Sequence, residues 1–333
     1  MTSETLISFR GVAKTYPGAT RAAVRELSLD IPRGRFITLV GPSGCGKTTT
    51  MKMVNRLIEP TSGRIVLAGQ DISTIDATSL RRRIGYVIQQ VGLFPHQTIE
   101  RNVAAVPRLL GWDKARIRDR VAELLDLVGV PVDEFGHRYP AQLSGGQAQR
   151  VGVARALAAN PEILLMDEPF GAIDPITRVE LQDELLRLQR EMHKTILFVT
   201  HDIDEAMKMG DLIAVFDQTA TLVQFGTPDD ILASPATEFV QRFIGEGTGL
   251  HRLKLRRVRD LPLRAAPEQG VPDAPRLPAT ATLHQALDCL VRTSADCLIV
   301  TEQDSPQPMG VLTFADLQRA LREAKTPTAE DAA

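Results

Sequence analysis

Cysteine is scarce: the 333-residue sequence holds three, Cys45, Cys289 and Cys297, with no CxxC spacing among them. That argues against a disulfide framework or a cysteine-held zinc and places the chain in a reducing cytosol. An excess of charge is missing as well. Lys and Arg number 39 against 41 Asp and Glu, a formal net charge of -2. A nucleic-acid binder usually carries a strongly basic footprint, so no nucleic-acid partner is expected. No apolar run approaches the roughly 18 residues of a membrane-spanning helix. Leu6-Ile7-Ser8-Phe9, between Glu4 and Arg10, is not a signal-peptide core. What remains is a globular composition, 43% hydrophobic and 24% charged, long enough for one large domain and a smaller one.

Short apolar runs alternate with helical patterns through about residue 215. Strands are expected at Phe36–Val40, Ile84–Val87, Ile163–Met166, Thr195–Val199 and Leu212–Phe216, and helices at Asp113–Val128 and Pro175–Met192. In the second helix Leu181, Leu185, Leu188 and Met192 share one face, and Pro175 is acceptable in the first turn. Such alternation predicts an α/β fold with a mostly parallel sheet covered by helices. Ile7–Val12, Val24–Ile31 and Arg64–Leu67 read instead as an antiparallel layer, and Phe239–Ile244 as the end of the first domain. Gly and Pro punctuate residues 246–280, which read as a linker with at most one short strand. The basic stretch His251–Arg259 is weighed as a patch for anionic lipid or as a solvated edge with Leu253, Leu255 and Val258 turned inward; the solvated edge is preferred. Arg81-Arg82-Arg83 likewise reads as a solvated helix end.

Four motifs carry chemistry. Gly41-Pro42-Ser43-Gly44-Cys45-Gly46-Lys47-Thr48-Thr49 lies between the strand Phe36–Val40 and a helix expected from Thr49 to Val54. A glycine, four residues, then Gly-Lys-Thr in that setting cradles a nucleotide triphosphate, ATP or GTP. Glycines let successive N–H groups face one anion, the helix N-terminus adds its positive end, and Lys47 reaches the β/γ-phosphates while Thr48 can ligate Mg²⁺. Leu143-Ser144-Gly145-Gly146-Gln147 opens another helix, as a second anion site or an ordinary serine cap. Ile163–Met166 ends in Asp167 and Glu168, where α/β sheets place their ligands. Asp167 suits Mg²⁺ coordination and Glu168 a general base for the attacking water. His201, at the end of the strand beginning at Thr195, is placed for phosphate contact.

Together these residues resemble the nucleotide-binding subunit of ATP-binding cassette (ABC) transporters over about residues 6–245. The resemblance implies a P-loop NTPase with a RecA-like parallel core, an antiparallel β-subdomain and a helical subdomain carrying the signature. It implies that Gly41–Thr48 is the Walker A loop, that Gln89 contacts Mg²⁺ and the water, that Ser144–Gln147 is the signature and that Ile163–Asp167 is the Walker B strand. Glu168 is then the catalytic carboxylate, Gly171-Ala172-Ile173-Asp174 the D-loop, with Ile173 in place of the usual Leu, and Tyr16 the adenine-stacking aromatic. The family pairs two subunits head to tail, each ATP lying between one Walker A loop and the partner's signature. By the same resemblance Val91–His96, just after Gln89, lines the groove for an integral-membrane permease. The subunit then sits at the cytoplasmic face of the membrane, with a solute-binding protein as an indirect partner.

The phrases Ile88–His96, Met166–Arg178 and Val199–Asp211 resemble the importers of quaternary amines such as glycine betaine, carnitine and choline. Ala281–Val291, Asp296–Thr301 and Gly310–Leu317 read as helix–strand–strand–helix and resemble one cystathionine-β-synthase-type (CBS) repeat, in which the equivalents of Thr313 and Asp316 can hold an adenosine. Expected boundaries are an ATPase domain over 1–245, a linker over 246–280, the single repeat over 281–323 and a disordered tail beyond. The alternatives are an importer of amino acids or sulfonates, and a soluble ABC ATPase of DNA repair or translation. The latter usually carries two cassettes or a long coiled-coil insertion. Here roughly 100 residues without sustained heptads separate the phosphate loop from the signature.

Overall fold

A computed structural model describes residues 4–88, 92–171, 173–245, 253, 255–264, 274–302 and 307–323. The chain divides into two compact units between Phe225 and Gly226.

In the first unit, β3 (Phe36–Val40), β6 (Ile84–Val87), β7 (Ile163–Asp167), β8 (Thr195–Thr200) and β9 (Leu212–Phe216) join β10 (Leu222–Gly226) in one sheet of order β10-β9-β3-β8-β7-β6. The pairs β6–β7, β7–β8, β8–β3 and β3–β9 are parallel. Every residue of β3, β7 and β8 is buried, as a sheet covered on both faces requires. Side chains alternate between two cores. Phe36, Leu164, Met166, Ile196 and Phe198 join one core with α5 (Lys114–Leu127), α7 (Gly145–Leu157) and α8 (Pro175–Met192). Ile37, Leu39, Leu165, Leu197 and Val199 join the other, with α1 (Lys47–Val54) and the antiparallel layer β2-β1-β4-β5. That layer runs through β1 (Thr5–Lys14), β2 (Val24–Pro32), β4 (Ser62–Leu67) and β5 (Gln70–Asp71).

Two details depart from expectation. α1 begins at Lys47 rather than Thr49, because Gly46, left-handed at φ 90°, turns the loop directly into the first helical turn. Arg81 and Arg83, at the end of α2 (Ala77–Arg82), are not merely solvated. Arg81 donates to the carbonyls of Asn55 and Arg56, and Arg83 pairs with Glu162 at 2.7 Å.

The second unit contains α10 (Pro228–Ala233) and α11 (Glu238–Ile244), so the segment expected to close the first domain groups with the C-terminal residues. Its sheet places β12 (Cys297–Thr301) between a parallel β11 (Arg276–Pro278) and an antiparallel β13 (Pro308–Thr313). α12 (Leu283–Thr293) and α13 (Phe314–Glu323) complete the expected helix–strand–strand–helix order. Three residues of the stretch expected as linker enter this core. Leu253, Val258 and Leu261 are buried with Leu283, Leu290, Leu298 and Leu312. Val258 and Arg259 donate main-chain bonds to Ala281 and Ala279. The expected inward turn of Leu253 and Val258 is met, but the stretch is not merely a solvated edge: Arg256 donates to the Ala320 carbonyl at 3.1 Å and Arg257 to the Thr280 carbonyl.

Candidate nucleotide-binding site

The phosphate loop leaves β3 and enters α1 through Gly41 (φ +153°), Gly44 (+81°) and Gly46 (+90°), backbone angles that only glycine adopts at little cost. Helix α1 has no side-chain cap, so its first-turn amides remain open to an anion. Lys47 is 4% exposed. Its Nζ donates to the carbonyls of Gly41 (2.7 Å) and Pro42 (2.9 Å), and among the described residues no carboxylate forms an ion pair with it. An ammonium buried among neutral acceptors is a site made for an anion. Pro42, Ser43, Gly44 and Thr49 complete the loop and the first turn around it.

The Cys45 thiol is shielded by the loop that carries it. It is 2% exposed, its Sγ lies 3.6 Å from Lys47 Nζ, and burial pushes its pKa up against the pull of that lysine.

Three carboxylate-bearing positions lie at the C-terminal side of the sheet or just beyond it. The Thr48 hydroxyl donates to Asp167 Oδ1 at 2.8 Å. Burial raises the Asp167 carboxyl above its ordinary range, a rise that the Thr48 bond and the charges of Lys52 and Lys47 only partly offset. Among the described residues no group of three His, Cys, Asp or Glu could hold a metal ion alone. Thr48 with Asp167 instead fits Mg²⁺, which takes one or two protein oxygens and completes its shell with water and phosphate. Glu168 has left-handed backbone at φ +44°, held by its N–H bond to the Val199 carbonyl. Its carboxylate meets His201, just past the end of β8, whose Nδ1 lies 3.1 Å from Oε2. Asp174 accepts from the N–H groups of Ile176 and Thr177 and caps α8.

Ser144 and Gln147 form a reciprocal capping box at the start of α7. A Cβ at Gly146 would approach Thr177 Cγ2 to 2.8 Å, which explains the glycine where α7 meets α8. Among the described residues no hydrogen bond joins Ser144, Gly145, Gly146 or Gln147 to the loop Gly41–Thr49. Tyr16 is 40% exposed beside a Pro17-Gly18 turn, with Lys14 Nζ 5.4 Å from its ring centroid. Gln89 lies outside the described residues.

Sequence reasoning missed Tyr86 and Glu205. Tyr86, on β6 beside β7, has its phenol pushed up to about 12 by burial and by the charge of Asp167. Glu205, five residues after Thr200, is buried against α8; Thr200 and Glu205 frame His201 in the sequence and were the available signal.

A family model described as ABC transporter matches residues 24–171. The osmoprotectant import ATP-binding protein OsmV of Salmonella typhimurium is 56% identical over 72% of this chain and 62% of its own length. The glycine betaine uptake system ATP-binding protein YehX of Escherichia coli is 46% identical over 94% of this chain and 99% of its own. The chain belongs to the ABC transporter family. This ABC chain therefore spans somewhat under two thirds of OsmV and nearly all of YehX. The dimeric ATP-binding cassette MJ0796, solved in a post-hydrolysis state with ADP and Pi, has a TM-score of 0.60 and 33% identity, covering 67% of this chain and 99% of that one. No helix among the described residues is long and apolar enough to cross a membrane.

Proposed function

We propose that this chain binds ATP between two of its copies and hydrolyses it to ADP and phosphate. Hydrolysis would power import of a quaternary-amine osmoprotectant of the glycine betaine, carnitine or choline type. The observation that carries the nucleotide reading is Lys47, a buried ammonium bonded to two carbonyls and the Cys45 sulfur of its own loop beside an uncapped helix. A triphosphate would satisfy both its charge and the open amides. Thr48 and Asp167, with Gln89 by resemblance, would hold Mg²⁺, which neutralises charge on the phosphate oxygens.

Glu168 accepts the proton of the attacking water, and His201 fixes that carboxylate from 3.1 Å. Tyr16 stacks on the adenine. Ser144, Gly145, Gly146, Gln147 and Asp174 of a second copy close the phosphate cage. The dimeric state of the MJ0796 cassette, 33% identical, supports that pairing. The cargo reading rests on the printed functions of OsmV and YehX, since cargo specificity lies outside the cassette. The chain would act at the cytoplasmic face of the membrane through permease subunits docked near residues 92–96, with a solute-binding protein as an indirect partner. We further propose that the first unit is the ATPase domain and that the second unit carries a single CBS-like repeat, its helix–strand–strand–helix part over 281–323 completed by Leu253, Val258 and Leu261.

The test is uptake of labelled betaine, carnitine and choline by a deletion strain complemented with the wild-type chain or with Lys47→Ala. Wild type should restore uptake of at least one, and Lys47→Ala should not. Restoration by Lys47→Ala would overturn the nucleotide reading. Restored uptake of labelled amino acids or sulfonates alone would overturn the cargo.

A further inference from the structure

The turn that carries His201 is held from behind by a buried carboxylate. Glu205 lies in α9 (Ile203–Met209) and is 9% exposed, with Gln182 of α8 at 5% and Thr200 at 1%. Gln182 Nε2 donates to Glu205 Oε1 at 3.0 Å. The Thr200 hydroxyl oxygen, at the end of β8, accepts from Asp202 N at 3.0 Å. Asp202 Oδ1 in turn accepts from the N–H groups of Asp204 (2.9 Å) and Glu205 (3.3 Å). Both neighbours of His201 are therefore tied into one hydrogen-bonded knot, and Glu205 joins the α9 cap to α8. Burial pushes this carboxyl up, partly offset by its Gln182 bond, so the chain keeps an acid where desolvation disfavours it.

We propose that Glu205 is a positioning residue for ATP hydrolysis, holding the β8–α9 turn so that His201 meets Glu168. The proposal rests on the reading above that Glu168 and His201 serve hydrolysis. A side chain displaced by about 1 Å can cost as much as 10²-fold in rate, so loss of the knot acts on turnover rather than on ATP affinity.

The experiment is a double-mutant cycle on the full chain with Mg-ATP. Glu205→Ala should lower kcat about tenfold and shift KM for ATP by less than about twofold. Glu205→Gln, whose amide oxygen can still accept from Gln182, should recover most of the loss. In a His201→Ala background, Glu205→Ala should cost less than about twofold more, because the group it positions is gone. An equal loss in both backgrounds would mean a merely structural role and would overturn the proposal, as would unchanged kcat in Glu205→Ala. Should that variant fail to fold, Gln182→Met removes one donor of the knot and enters the same cycle. Failure of the hydrolysis reading shows separately, as turnover indifferent to Lys47→Ala and Glu168→Gln.

Discussion

Glu168 sits with left-handed backbone at φ +44°, which costs a non-glycine residue of the order of 1 kcal/mol. The main-chain bond to Val199 and the contact with His201 hold it there. Replacing Glu168 with Gln keeps the shape and removes the base. Hydrolysis should slow by ~10²–10⁴ while ATP binding, followed by a fluorescent nucleotide, survives. Unchanged turnover would remove Glu168 from that role. Cys45 makes the opposite case. A cysteine in a glycine-rich loop reads as exposed, yet its thiol lies beneath Lys47 with a raised pKa. A raised pKa means less thiolate at neutral pH and slower alkylation. Maleimide should label folded protein slowly with or without ATP and rapidly after denaturation, as read by intact mass. Rapid labelling of the folded chain would contradict this placement.

What could be read at this scale depended on whether chemistry was local. Asp167 and Glu168 announced themselves because an apolar strand ends on two acids, and the Ser144–Gln147 capping box lies within four residues. The Gln182–Glu205 bond joins residues 23 apart on separate helices, and no local pattern encodes it.

Among elements, the strands of the parallel sheet were legible because both faces are buried and their sequences are continuous apolar runs. β10 was not, since none of its residues is fully buried and its pattern lacks contrast. α9 and α10 are short helices whose caps, Asp202 and Thr227, matter more than periodicity. In the second unit, Asp316 at the start of α13 accepts from Thr313 and pairs with Arg264 at 2.9 Å. Burial alone would raise its carboxyl, but the Thr313 and Arg264 bonds outweigh burial and hold it below the ordinary range. A depressed folded pKa contributes stability that is complete above the unfolded value near 4 and fades as pH falls through the folded one. Asp316→Ala should therefore destabilise this unit at neutral pH by about 1–3 kcal/mol, and its melting curve should converge with wild type as acid is added below about pH 4. A deficit unchanged at low pH would show that the ionised carboxylate is not what stabilises the element.

At the scale of the molecule, the phosphate loop and the signature are not hydrogen-bonded to each other among the described residues, which suits a cage shared by two copies. Glu168→Gln with Mg-ATP should sediment at twice the monomer mass and return to monomer when ATP is replaced by ADP. A monomer under both conditions would sink the shared cage. Division of the chain was the least legible property, because Pro and Gly between 262 and 278 masked residues that fold into a core rather than spanning a gap.

That masking has a practical consequence for anyone dissecting the protein. Leu253, Val258 and Leu261 supply one wall around Leu283 and Leu298, so a fragment excised from Ala281 onward would bare a greasy cleft to water and clump. A fragment starting at Gly226 keeps its wall, and grafts of this module onto other proteins should carry the upstream arginine-and-leucine stretch with them.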